Sequence, residues 1–416
     1  MNPCYNYFMD QKVQVEKKER AAHRRHQGVW NFFWYFTVPF FKRIYSYNCQ
    51  KAPQINGPYL VISNHTTELD CVLVGMSFRK QMYFVASEHV YRKGWVSKLL
   101  RWAFEPIAKI KGSSDTLTVM KIIRKLRDGY NVCLFAEGNR SFDGRNFPVS
   151  EATGKLAKIC KASLVTYRIE GGYLTNPRWG FGIRRGKAYG HVVNVYSPEQ
   201  LEQMSAEEIT KAIVTDTNED AYERQALKPV AYKGKNRALG IECAYCVCPR
   251  CHALGKITSN GNKVMCTSCG NESEFDVYGN FDPAFGVTNP KEWEDLQEEY
   301  LKQFAASAQN DTEPFFTDSD ITLKTVDSDH NEKDLGSGKM ALYRNRFEFT
   351  PINGNTISLA IKDIPDMAVY SRNGFVFSDS AGTHYEIKPI QKKSPLNVRK
   401  YISIWRALSL SKGSQE

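Results

Sequence analysis

Hydrophobic and polar positions divide this chain into four stretches of different rhythm. Residues 10–26 are polar and basic and end in His23-Arg24-Arg25-His26; from Val29 to Phe41 the chain is almost wholly aromatic and apolar, with Lys42 and Arg43 after it. From Tyr59 onward, short apolar runs alternate with segments of helical period. Tyr59–Ile62, Met82–Ala86, Asn131–Phe135 and Ala162–Ile169 read as buried strands. Leu69–Phe78, Val96–Phe104 and Thr116–Leu126 read as helices, the last stopped by Gly129. This alternation predicts an α/β domain around a central sheet, ending near Lys235. A cysteine cluster follows, then a charged helical stretch, Lys291–Ala308. Residues 309–338 are rich in Asp, Ser, Gly and Asn, with Ile321–Val326 as a candidate strand. Short alternating segments come next: Met340–Tyr343, Phe347–Thr350, Ile357–Ile361, Ala368–Tyr370, Phe375–Ser378 and His384–Ile387. Turn residues such as Asn353-Gly354-Asn355 and Asn373-Gly374 separate them, which predicts a small antiparallel β domain. Leu396–Leu410 closes it as a helix. The chain shows no internal repeat.

The aromatic stretch is too short to cross a bilayer, which takes about 20 apolar residues. Tryptophan and tyrosine favour the headgroup boundary, and basic flanks are drawn to anionic lipid. One reading is a helix lying in one leaflet; the other is a core helix under the main domain. Composition adds little that is specific. The 416 residues are 42% hydrophobic and 24% charged, enough for a large core with additions. The net charge of +11 favours anionic partners without choosing among them. The N-terminus lacks the basic start, apolar middle and cleavage site of a signal peptide. Eleven cysteines in a chain of this length fit a reducing, cytosolic setting with one metal site better than a disulfide scaffold.

His65 follows the first apolar strand directly, and Asp70 lies five residues on, where a helix should begin. If Thr66 or Thr67 caps that helix, Asp70 falls in its first turn. The acid can then fix the imidazole tautomer while the other ring nitrogen removes a proton from an alcohol. Taken singly, Asp70 is equally an ordinary first-turn charge, and His65 a structural histidine. After the third strand comes Phe135-Ala136-Glu137-Gly138-Asn139-Arg140-Ser141, placed where ligands gather in open α/β sheets. Arg140 offers a planar fork for phosphate oxygens and Ser141 a hydroxyl. Glu137 can orient the arginine or bind a substrate hydroxyl, and Gly138 supplies flexibility.

The two elements, in this order and about 70 residues apart, resemble the glycerolipid acyltransferase family. Its first motif, Asn-His-x-x-x-x-Asp, is matched from Asn64 to Asp70. Its third, Phe-Pro-Glu-Gly-Thr-Arg-Ser, is matched at Phe135, Glu137, Gly138, Arg140 and Ser141, with departures at Ala136 and Asn139. A basic residue between them corresponds to Lys111, with Lys109 second. The fourth motif corresponds to Leu164–Arg168, without its proline. The resemblance covers about residues 30–230. It implies a 1-acylglycerol-3-phosphate O-acyltransferase-like enzyme in phospholipid biosynthesis. His65 and Asp70 would be catalytic, and Lys111, Glu137, Gly138, Arg140 and Ser141 would bind substrate. Acyl-carrier protein or coenzyme A would carry the acyl group, and lysophosphatidic acid would accept it on the cytoplasmic face of the cell membrane. Acylation of a different lysophospholipid stays open, as does a non-catalytic protein that binds lipid or nucleic acid.

Cys248, Cys251, Cys266 and Cys269 form two C-x-x-C knuckles separated by fourteen residues. Four thiolates at that spacing suit tetrahedral structural zinc in a ribbon. Cys243 and Cys246 are a further pair that either substitute as ligands or pack nearby. Local basic residues are few, so nucleic acid is not the expected partner. The expected architecture is membrane-interfacial helices over 1–46, an α/β acyltransferase domain with a mixed sheet over 47–238, and a zinc ribbon over 240–282. A charged helix and linker over 283–312 and a β domain over 313–412 complete it, the last suited to a pleckstrin-homology-like module by fold analogy.

Overall fold

The computed structural model describes residues 3–36, 38–92, 94–109, 116–308, 310–327, 331–391 and 396–412. Its first sheet has seven strands: β1 Tyr47–Cys49, β2 Tyr59–Ser63, β3 Met82–Ser87, β4 Ile107–Lys109, β5 Asn131–Leu134, β6 Ser163–Glu170 and β7 Ala188–Tyr196. They lie in the order β1-β7-β6-β2-β5-β3-β4. All neighbours are parallel except β6 and β7, so the sheet is mixed as expected. Every residue of β2 and β5 is buried, which is why both read as unbroken apolar runs rather than alternating ones. The sequence did not announce β1 and β4, three-residue edge strands too short to show a period. Nor did it announce β7, whose Gly190, His191 and Asn194 break the apolar signal.

Five helices surround this sheet in its first half: α1 Pro3–Phe36, α2 Val38–Tyr45, α3 Asp70–Gly75, α4 Trp95–Phe104 and α5 Thr116–Arg127. Helix α1 is anchored by Trp30, whose ring covers Gly75 so closely that a Cβ there would lie 2.3 Å from it. Phe84 and Phe104 complete that aromatic contact. Helix α3 is shorter than the expected 69–78. After Gly75 the chain leaves the helix in tight turns, and Met76 and Phe78 enter the core from there.

The ribbon comprises β8 Ile257–Asn260, β9 Lys263–Cys266 and β10 Glu272–Glu274, all antiparallel. Helix Pro290–Ser307 leads to a seven-stranded antiparallel sheet: β11 Phe316–Val326, β12 Glu332–Leu342, β13 Arg346–Pro351, β14 Ile357–Ala360, β15 Met367–Tyr370, β16 Gly374–Ser378 and β17 His384–Pro389. Its order is β14-β13-β12-β11-β17-β16-β15, and helix Val398–Lys412 closes it. Strand β12 begins eight residues before its apolar segment, because Glu332–Lys339 is the largely exposed half of a long hairpin with β11.

One hydrophobic core runs through ribbon, last sheet and both C-terminal helices, with Trp293, Phe349, Phe375, Tyr401 and Trp405 within it. Phe142 and Trp179 of the α/β part belong to the same core. A second junction is polar: His89 and Arg92, just beyond β3, bond Glu386 of β17.

Candidate active site

Strands β2 and β5 are adjacent and parallel, so the segments after them emerge side by side at one edge of the sheet. Asn64 fixes the exit from β2. Its side-chain amide donates to Ile169 O at 2.8 Å and accepts from Ile169 N at 2.7 Å, continuing the β2–β6 ladder. The His65 backbone is then held on both sides by the second segment. His65 N donates to Glu137 Oε1 at 2.9 Å, and Ser141 N donates to His65 O at 3.1 Å. Glu137 also accepts from Asn146 Nδ2 at 2.7 Å and from Phe147 N at 2.6 Å. Burial pushes its carboxyl up to about 8, against those hydrogen bonds, which pull it down. Glu137 was expected to orient Arg140 or meet substrate; in the structure its oxygens bond His65 N, Asn146 Nδ2 and Phe147 N and hold the loops in register. Gly138 sits at φ +68°, so this turn favours glycine.

His65 Nδ1 lies 2.8 Å from Asp70 Oδ2. The Asp70 side chain is fully buried, whereas that of His65 keeps 24% exposure towards the sheet edge. The carboxylate also accepts from the backbone N–H groups of Thr66 and Thr67 and from both threonine hydroxyls. A group that receives donors on every side acts as an ionised acceptor. That network assigns the proton to Nδ1 and leaves Nε2 as the basic nitrogen. The threonines do not cap α3, which starts at Asp70 after Leu69 with no side-chain cap; they hold Asp70 instead. The Phe135 ring stacks on His65 with centroids 4.7 Å apart. Behind Thr66 lies Gly172, where a Cβ would stand 2.2 Å from the threonine hydroxyl.

Arg140 reaches back to the first motif and pairs with Glu68 at 3.3 Å. Burial draws its pKa down. Ser141 turns away from this pair: it is buried, and its hydroxyl accepts from Gly144 N at 2.8 Å, closing the 141–144 turn. The same hydroxyl lies 3.5 Å from Asp143 Oδ1, so its polar contacts here are within its own turn. Lys111 lies outside the described residues. Lys109 ends the edge strand β4, three strands from β2 and so about 14 Å away at ordinary strand spacing. Its charge reaches Asp366 of the C-terminal part.

Three further residues at the site carry no signal in the sequence. Asn146 links Glu137 to Glu219 N and Thr217 O. Tyr45, buried at the end of α2, has its phenol pushed up to about 12, by burial first and then by Asp70 and Glu68. Arg178 is buried and donates to Arg140 O, Asn139 Oδ1, Ser371 O and Val369 O. Each is an isolated polar residue whose partners are brought in from distant segments.

A buried acid holding a part-exposed imidazole, one loop from a guanidinium, is equipped to deprotonate the hydroxyl of an anionic substrate. The sequence model of the Acyltransferase family matches residues 43–170. Those residues carry an acyltransferase-family domain, and His65, Asp70, Glu137, Arg140 and Ser141 all fall within it. Among solved structures, the chain is similar to the 1-acyl-sn-glycerophosphate (LPA) acyltransferase PlsC from Thermotoga maritima. Identity is 16%, over 53% of this chain and 90% of that one, with a TM-score of 0.39. It is also similar to a chain of the 8S snRNP assembly intermediate, at 18% identity over 25% of this chain and 87% of that one, TM-score 0.20. A third similarity is to Dcp1p, at 12% identity over 26% and 93%, TM-score 0.19.

Beyond the acyltransferase domain, the sulfur atoms of Cys248, Cys251, Cys266 and Cys269 lie within 4.8 Å of one another. Cys248 and Cys269 are 3.8 Å apart, as are Cys251 and Cys266. A tetrahedron with metal–sulfur bonds of about 2.3 Å has edges of about 3.8 Å, so the four residues can hold a metal ion. Cys243 and Cys246 are not in this cluster. Both are buried in the shared core, and burial pushes their thiols up to about 12.

Proposed function

We propose that this protein moves a fatty acyl group from a thioester of acyl-carrier protein or coenzyme A to the sn-2 hydroxyl of 1-acylglycerol-3-phosphate, giving phosphatidic acid for phospholipid biosynthesis. The observation that carries this reading is the 2.8 Å contact between His65 Nδ1 and buried Asp70, beside Arg140. His65 Nε2 takes the hydroxyl proton as the oxygen attacks the thioester carbonyl. The carbon–sulfur bond then breaks, and the imidazolium returns the proton to the leaving thiolate. Asp70 stabilises the imidazolium throughout. Arg140 exchanges Glu68 for the substrate phosphate and so fixes the hydroxyl near His65.

The same reading places the protein peripherally or monotopically on the cytoplasmic face of the cell membrane. No helix among the described residues is long and apolar enough to cross one. Phe32, Phe36 and Phe40 of α1 and α2 are exposed, and so are Trp95, Leu99 and Trp102 of α4, at helical i, i+4, i+7 spacing. Helices α1 and α4 pack together, with Arg25 bonded to Trp102 O, and in this reading the exposed side chains of both meet the headgroup boundary. The ion in the cysteine cluster is zinc in this reading, in a structural role. The last sheet with its closing helix is taken as a pleckstrin-homology-like module, on its strand layout alone.

The test is a lipid-product assay on purified protein with both donors and several lysophospholipids. His65→Ala should abolish product while leaving the melting temperature within about 2 °C of wild type, since the ring is part-exposed. Near-normal turnover by His65→Ala would sink the mechanism.

A further inference from the structure

The turn between β15 and β16 lies against the site, although the segments are nearly 200 residues apart in sequence. Two arginines hold it there. Arg178 donates to Ser371 O and Val369 O on the turn side at 3.0 Å each, and to Asn139 Oδ1 and Arg140 O on the motif side at 3.3 and 3.4 Å. Arg372, in the turn itself, donates to Gly180 O at 2.6 Å, with its guanidinium 3.7 Å from the Phe181 ring centroid. Its Nε is buried without a hydrogen-bond partner. Ser371 at φ +57° directs the chain through this turn.

The charges here do not balance. Arg140 pairs with Glu68, while neither Arg178 nor Arg372 has a carboxylate partner among the described residues. The charge of Arg372 reaches both Arg140 and Glu68 through space. Glu68, its side chain 66% exposed, is free to swing out when another anion arrives. Arg140 is then left without its carboxylate, beside the turn that carries Arg372, with Arg178 bonded to the backbone of both. A phosphate monoester carries about −1.5 to −2 at pH 7, whereas a zwitterionic phosphodiester headgroup is neutral overall.

We propose that Arg372, supplied by the C-terminal sheet, is a headgroup-binding residue that makes the site select a phosphate monoester over a zwitterionic phosphodiester. This rests on the acyl-transfer reading above and adds to it a residue from outside the acyltransferase domain. The C-terminal sheet is then part of the substrate site and not only an appended module.

The full chain is assayed in mixed micelles with oleoyl thioesters of coenzyme A and acyl-carrier protein, against lysophosphatidate and lysophosphatidylcholine. Arg372→Gln should raise the KM for lysophosphatidate about 10- to 100-fold, the loss expected for one charge-assisted contact. Its kcat should stay within about twofold, because the contact is the same before and during reaction. A wild-type KM in a variant that melts like wild type overturns the assignment and leaves acyl transfer standing. Preference of the wild-type protein for lysophosphatidylcholine does the same. Absence of transfer to either acceptor overturns the acyl-transfer reading itself. Should Arg372→Gln unfold, Arg372→Lys decides: it keeps the charge, loses the planar fork and should raise KM about three- to tenfold, and an unchanged KM overturns the proposal.

Discussion

Asp70 is the residue on which the site turns. It has no solvent exposure, and it accepts from one imidazole, two backbone amides and two hydroxyls. Asp70→Asn replaces an all-acceptor group with one that also donates, which sets an NH2 against donors and disfavours the productive tautomer. We expect kcat to fall by about 10³- to 10⁴-fold, by analogy with acid-to-amide changes in imidazole-based sites. Steady-state assays beside thermal melts would check this, and a loss under tenfold would mean the imidazole needs no acid. Glu137 gives a pH signature. Its carboxyl is raised from 4.5 to about 8 on folding, so the folded state holds a proton that the unfolded state has lost between those values. Stability should therefore decline as pH rises from about 4.5 through about 8, and Glu137→Gln should flatten that part of the melting profile. A wild-type profile that rises over this window would contradict it. The acid, base and arginine were legible because their types and spacing are unusual together. The partners of Glu137 were not, because they are mostly backbone N–H groups, which every residue but proline possesses.

Among the elements, strands buried on both faces were readable from their apolar runs, and long helices from their period. Edge strands β1 and β4, and the exposed half of β12, were not, because tertiary pairing rather than local pattern makes them strands. The aromatic segment was legible as helix but not as to what it faces. The structure divides its rings: Trp30 is buried over Gly75, while Phe32, Phe36 and Phe40 are exposed. Helix α4 adds Trp95, Leu99 and Trp102 to the exposed apolar side chains, and the proposed membrane contact includes them. Trp95→Asp with Leu99→Asp should cut binding to vesicles containing anionic lipid about tenfold or more, since each buried apolar side chain contributes about 1.5–3 kcal/mol. Vesicle co-sedimentation measures this, and unchanged binding would remove α4 from the membrane surface. Gly75→Ala should lower stability by about 1–3 kcal/mol through overpacking against Trp30, as read by denaturant unfolding. An unchanged midpoint would mean α1 docks by other contacts.

At the scale of the whole molecule, successive segments read as separate modules prove to share one interior. Composition changes at the cysteine cluster, but the core does not stop there: Phe142 and Trp179 pack with residues from the ribbon and the last sheet. A sequence shows where its pattern changes and cannot show that two patterns bury one surface together. Cys266→Ser, or chelation of the four-thiolate site, should therefore destabilise more than the ribbon. We expect one cooperative transition, lowered by about 10 °C or more, because loss of a structural ion removes folding free energy. Tryptophan fluorescence from Trp179, Trp293 and Trp405 would follow it, and two separate transitions would show that the ribbon folds alone.

Arg178 carries a consequence for how the protein is made. Its guanidinium braces the Arg140 loop, but two of its four acceptors, Val369 and Ser371, lie more than 190 residues further along the chain. At about 5–20 residues per second, they leave the ribosome roughly 10–40 seconds after Arg178 does. Throughout that interval the aromatic segment Val29–Phe41 is already made, while the loop that bears Arg140 waits for its brace. The order of synthesis thus leaves the Arg140 loop unbraced until the C-terminal sheet has been made.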